Sequence, residues 1–324
     1  MSVAGFLLSL AVIAAVSSTV TAVAGGVMLA LVSRLRPSPA RAADLALFVG
    51  LAPGMVAVVI AALVALPALF AATGVLPDHC LQHAHHGHLC PLHLATVPAW
   101  VAVVGSFVSL IAVGRFLVRA FDHREEQRLW RGLIAVGAAH VDRVVVVDGP
   151  PTLLHAGDDV IVASATLLCA LDDTMRRAVL AHETAHLRRR DSRSLHALLF
   201  AEALSPPAYG AAVVRRFRQA AEEAADEAAA VVVGAVDVAA AIVAVARARQ
   251  GSRFDHARPA IAGGDLERRV RRLLSIEPRE RCAGAHIVVA AFVVFIIAAL
   301  PLFADVHHVA ESAFAPAAHT HVHR

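Results

Sequence analysis

The run His182-Glu183-Thr184-Ala185-His186 has the residue types and spacing of a zinc site. On a helix, positions four apart stand one turn from each other on the same face. Two imidazoles there can hold one Zn²⁺ at ~2.0–2.1 Å, with Glu183 beside them as a base toward water on the metal. Such a centre needs a third protein ligand. A further histidine shortly beyond His186 is missing, because position 192 is Ser. Downstream, Ala221-Glu222-Glu223-Ala224-Ala225-Asp226 supplies carboxylates instead. Glu222 and Asp226 are one turn apart, so Glu222 can ligate while Asp226 accepts a hydrogen bond from a ligating imidazole and fixes its tautomer. Glu223 points about 100° away and competes for the ligand role.

These residues need helices under them. Asp172 or Asp173 can cap a helix running through Arg190, with acid in its first turn and arginines in its last. Further helices are expected over Ser192–Ala203, Ala211–Val233, Val236–Arg249 and Leu266–Leu274, with Ser205-Pro206-Pro207 as a break. Asp191 reads as the cap of the helix that follows it. Ahead of the motif, Val141–Val147 reads as a strand closed by Asp148-Gly149-Pro150-Pro151, and Thr152–His155 and Val160–Ala163 as two more. The last of these could be an edge strand that pairs with an extended substrate, or an internal one. Phe121–Leu133 reads as a charged interfacial helix. Tyr209 and Arg218 are both open as stabilisers of a developing oxyanion.

The rest of the chain is built for another solvent. Hydrophobic residues make up 58% of the 324, charged residues 17%, and mean hydropathy is +0.66. A disordered chain is excluded by that balance. All 29 basic residues are Arg, which rules out any chemistry requiring a lysine. A net charge of +3 is too small and dispersed for direct nucleic-acid binding. Four apolar runs, at about 3–32, 45–77, 94–114 and 285–304, are long enough to cross a bilayer. Arg34, Arg36 and Arg41 lie between the first two, and Arg115, Arg119, Arg124, Arg128 and Arg131 follow the third, whereas residues 78–93 contain no Arg. The positive-inside rule then predicts a cytoplasmic segment over 115–281, with the loop 78–93 and the tail outside. The expected architecture is mainly α: a multi-pass membrane protein of four transmembrane helices. It divides into 1–114 (three spans), a cytoplasmic α+β zincin-like metalloprotease domain at 115–281, and 282–324 (fourth span and tail).

The segments placed outside hold 11 of the 19 histidines. His79, His83, His85, His86, His88 and His93 lie in the loop, and His307, His308, His319, His321 and His323 in the tail. Imidazole clusters suit Zn²⁺, Cu²⁺ or Ni²⁺, so a possible external metal site is expected there, coupled through the spans to the domain inside. Cys80 and Cys90 flank the densest part and could form a disulfide or act as ligands; Cys169 and Cys282 are expected to be reduced and inert.

Arg177 through Asp191, followed by Glu222-x-x-Ala225-Asp226, resembles the membrane-embedded gluzincins. Two branches compete: the BlaR/MecR-type signal-transducing antirepressor proteases, and the HtpX and CAAX-prenyl-protease type. The pattern of spans is similar to the BlaR/MecR layout. That resemblance implies zinc-dependent peptide hydrolysis with Glu183 as proton carrier, and a protein or peptide substrate such as a winged-helix transcriptional repressor. The chain departs from the antibiotic sensors in three ways. The tail is about 20 residues, the absence of Lys excludes their acylated serine site, and Ala225 stands where they usually have Cys. A quality-control protease of the HtpX type is the alternative, and a non-catalytic metal-binding membrane protein an alternative from another class.

Overall fold

The computed structural model describes residues 3–74, 98–137, 139–141, 143–150, 154–157, 159–250 and 263–275, together with residue 290. The expected fourth span, the histidine-rich loop and tail, and Cys80, Cys90 and Cys282 lie outside the described residues.

Three helices come first: α1 (Val3–Arg34), α2 (Pro39–Ala72) and α3 (Ala99–Val136). All three are long and apolar enough to cross a membrane. Most polar side chains inside α1 bond to their own helix, as Ser17 Oγ on Ile13 O at 2.7 Å and Thr21 Oγ1 on Ser17 O at 2.8 Å. α1 crosses α3 at Gly105, where a Cβ would meet the Leu8 carbonyl oxygen at 2.5 Å. Only glycine permits that approach.

α3 departs from expectation. From Ala99 onward the third apolar run continues without a break into the interfacial segment Phe121–Leu133, in one helix of 38 residues that contains the boundary expected at 114/115. Two of the five arginines that follow the third run are engaged by the helices beyond the sheet. Arg119 pairs with Glu202 at 2.9 Å, and Arg115 donates to the Ser205 carbonyl at 2.8 Å.

A four-stranded sheet follows, β1 (Ala139–Val141), β2 (Val144–Val147), β3 (Leu154–Ala156) and β4 (Ile161–Ser164), in the order β1-β2-β4-β3. The single strand expected over Val141–Val147 is divided: Val141 ends β1, Arg143 at φ 70° lies in the turn, and Val144–Val147 form the second arm of a tight hairpin. β4 is internal, parallel to β2 and antiparallel to β3, so it offers no edge to a substrate. Its four residues are all buried, as a strand flanked on both sides requires.

Beyond the sheet the chain is helical: α4 (Ala165–Ala170), α5 (Asp173–Arg189), α6 (Asp191–Ala203), α7 (Pro207–Val233), α8 (Ala235–Gln250) and α9 (Gly263–Leu274). Asp172 caps α5, accepting from Met175 N at 2.8 Å. Pro207 opens α7, where its missing N–H costs nothing, and Gly234 at φ 100° closes it. Two apolar cores organise these elements. In one, Ile161, Ala163, Leu167, Ala178 and Val179 meet Ala229, Val238 and Ala241, packing α5 between the sheet and α7–α8. In the other, Met28, Leu29 and Val32 of α1 and Ala46 and Val49 of α2 meet Leu198, Val213 and Phe217.

Candidate metal centre and active site

α5 presents His182 and His186 toward α7, which presents Glu222 from the opposite side. His182 Nε2 and His186 Nε2 are 3.2 Å apart. Glu222 Oε2 lies 3.5 Å from His182 Nε2, and Oε1 lies 3.8 Å from His186 Nε2. A tetrahedral ion bound at ~2.0–2.1 Å sets neighbouring ligand atoms about 3.3 Å apart. The three side chains therefore fit zinc as they stand, and they are the group of His, Cys, Asp and Glu residues that could hold a metal among the described residues.

Each imidazole offers Nε2 to this point because a carboxylate stands at its other nitrogen. Asp226 Oδ1 lies 2.9 Å from His182 Nδ1, and Asp191 Oδ2 lies 2.8 Å from His186 Nδ1. The second contact is a hydrogen bond. The first is close but misaligned, and leaves His182 Nδ1 without a true hydrogen bond. Carboxylates in these places fix the tautomer and raise the basicity of the ligating nitrogen.

Asp191 was expected only to cap α6. It reaches His186 because Arg190 takes the left-handed conformation at φ 57° and reverses the chain directly between α5 and α6. Arg189 Nε sits 3.3 Å from the other oxygen of Asp191.

Sequence reasoning missed a second participant. Arg269, on α9, donates from Nε and one terminal nitrogen to the two oxygens of Asp226, each at 2.7 Å, and its other terminal nitrogen lies 3.0 Å from Glu222 Oε2. Its signal was confined to the arginine-rich pattern of α9, where Arg268 and Arg272 also face α7. Those two hold Glu223, at 3.3 and 2.7 Å, turned from the imidazoles.

Arg269 meets Asp226 and Glu222 while Arg189 meets Asp191, and the electrostatics of the two imidazoles follow. Burial would lower the His182 pKa, but its contacts with Asp226 and Glu222 outweigh burial and raise it to about 10. Desolvation opposes ionisation of Asp226, yet Arg269 and His182 hold its carboxyl below the usual range. Glu222 keeps 44% of its side-chain surface open although its carboxylate lies among many protein atoms. That desolvation is outweighed by His182 and Arg269, which hold it low as well. Glu183 is buried on α5 between the two histidines in sequence.

Neither residue considered for the oxyanion stands in this cluster. Tyr209 donates its hydroxyl to the Val49 carbonyl of α2 at 2.8 Å, and Arg218 is exposed on α7.

Residues 152–257 match the model of Peptidase family M48. No curated protein and no solved structure matches the chain significantly. The matched segment contains both arms of the cluster, the α5 motif and the Glu222 helix, while Arg269 follows it. The chain thus joins a segment that matches Peptidase family M48 to three helices long and apolar enough to span a membrane.

Proposed function

We propose that the protein is an integral-membrane zinc endopeptidase whose catalytic domain faces the cytoplasm and whose cleavage transmits a signal, with a cytoplasmic repressor of the winged-helix class as substrate. The observation that carries the catalytic part is the convergence of His182 Nε2, His186 Nε2 and Glu222 at tetrahedral spacing, each imidazole backed by a carboxylate. Zinc held by these three side chains supplies a Lewis acid for a peptide carbonyl and lowers the pKa of water toward ~7. Glu183, adjacent to His182, takes the proton from the attacking water and delivers it to the leaving amine. Asp191 and Asp226, at the Nδ1 side of each ring, turn both Nε2 atoms toward Glu222. The cytoplasmic orientation is supported by Arg34, Arg36 and Arg41 between the first two spans.

Glu183→Gln is the direct test. It should retain zinc and abolish cleavage of a co-expressed repressor; undiminished cleavage rejects the mechanism. A second reading, quality control of membrane proteins, is favoured by the packing of α1 and α2 directly on the helices that carry the site. A small winged-helix repressor encoded beside this gene supports signalling, and cleavage of damaged membrane proteins without one supports quality control.

A further inference from the structure

The corner between α6 and α7 lies deep among the apolar helices. Ser18, midway along α1, donates to the Leu204 carbonyl at 2.6 Å. Arg115 of α3 donates to the carbonyls of Ser205 and Glu202, and Phe116 packs on Phe200 with ring centroids 5.5 Å apart. Tyr209 bonds to Val49 of α2, and Gly54 of α2 faces Ala201. From Ser18 to Arg34 is about 24 Å of helix.

Three further observations point to the surroundings of this corner. At its level the outer faces of α1 and α3 are exposed and apolar, with Val16 at 60%, Val20 at 56%, Leu110 at 74% and Leu117 at 61%. Leu204 extends that belt at 41%. Residues 194–214 contain a single formal charge, Glu202, and it is paired with Arg119 and Arg115. The carbonyls at the end of α6, which water satisfies at an ordinary helix terminus, receive donors from α1 and α3 instead. A helix end in hydrocarbon requires that arrangement, because no solvent is present to bond it. About 12 to 17 Å along α7, exposed Arg215, Arg216 and Arg218 form a cationic collar suited to phosphate headgroups.

We propose that the α6–α7 corner is a re-entrant hairpin immersed in the bilayer, with Leu204, Pro207 and Ala208 against acyl chains and the Arg215–Arg218 collar at the headgroups. The inference rests on α1–α3 spanning the membrane, as proposed above. It sets Glu222 about 9 Å beyond Arg216 along α7, so the metal centre stands just above the membrane surface. Substrates are then polypeptide segments presented within roughly 10 Å of the headgroups.

The test uses the full chain in phosphatidylcholine–phosphatidylglycerol vesicles, with its four native cysteines changed to Ser. Spin labels are placed singly through Leu204→Cys, Ala208→Cys, Leu110→Cys and Val231→Cys, and each variant is checked for zinc retention. Accessibility to dissolved oxygen is compared with accessibility to a water-soluble nickel chelate. Labels at 204 and 208 should be oxygen-dominated like the label at 110 and opposite to that at 231. Nickel access at 204 and 208 equal to that at 231, with 110 still oxygen-dominated, overturns the hairpin and leaves the spans intact. Exclusion of both reagents at 204 and 208 also overturns it, because protein then covers the corner. Nickel access at 110 overturns the membrane reading together with the hairpin.

Discussion

Asp191 gives the sharpest test of how the metal centre is held. Its Oδ2 accepts from His186 Nδ1 at 2.8 Å, and the residue is 6% exposed. Changing it to Asn keeps an acceptor of nearly the same shape and removes the charge. Hydrogen bonds to an ionised partner are roughly twice as strong as neutral ones, so about half the support for His186 survives. Partners of this kind are worth 10–100-fold in metal affinity, and each tenfold is about 1.4 kcal/mol. Asp191→Asn should weaken zinc binding about tenfold. Asp191→Ala, which removes both orientation and charge, should approach 100-fold. The assay is zinc competition against a fluorescent chelator with the detergent-solubilised full chain, with circular dichroism confirming the helix content of each variant. Both variants within twofold of wild type would refute the argument. Equal losses for Asn and Ala would show that charge acts alone and that the geometry contributes nothing.

Arg269→Met strands Asp226, which is 2% exposed, without its guanidinium, and should lower the stability of the metal-free protein by ~3 kcal/mol. A thermal midpoint shift checks it, and Arg269→Lys should recover only part because one ammonium cannot bridge both carboxylates. Glu222→Gln should lose bound zinc, whereas Glu223→Gln should keep it and loosen α9; metal analysis after dialysis separates them. Gly50→Ala places a Cβ against Leu198 and 2.7 Å from Val213 Cγ1, forcing α2 off α6 and α7. A loss of about 1–3 kcal/mol is expected, read from thermal unfolding in detergent.

Much of the centre was legible because it is helical. His182 with His186, and Glu222 with Asp226, are each one turn apart, and a helix converts that spacing into a shared face whatever surrounds it. What escaped the sequence depended on backbone reversals at residues that do not advertise them. Arg190 and Arg143 both have positive φ without being glycine, at 57° and 70°. The first sends Asp191 back to His186, and the second folds an apparent single strand into a hairpin. Composition at these positions suggests continuation rather than a turn. Arg269 escaped for a different reason: it meets Asp226 through tertiary packing across 43 positions, which no local periodicity encodes. Strand order was hidden in the same way, since β3 and β4 look alike along the chain and differ only in which neighbours flank them. The partner of Arg115 was hidden too, because Glu202 lies 87 positions away along the chain.

The core that joins Met28, Leu29 and Val49 to Leu198, Val213 and Phe217 bears on how this protein can be handled. A domain that folds alone must own its apolar interior. Here one wall of that interior is made of α1 and α2, which are therefore part of the core rather than a tether. Excising the family-matched segment 152–257 would bare the inner faces of α6 and α7 and remove Arg269 from the metal centre. Such a fragment keeps the sequence motif without the apolar wall that covers it, and it should collapse or aggregate.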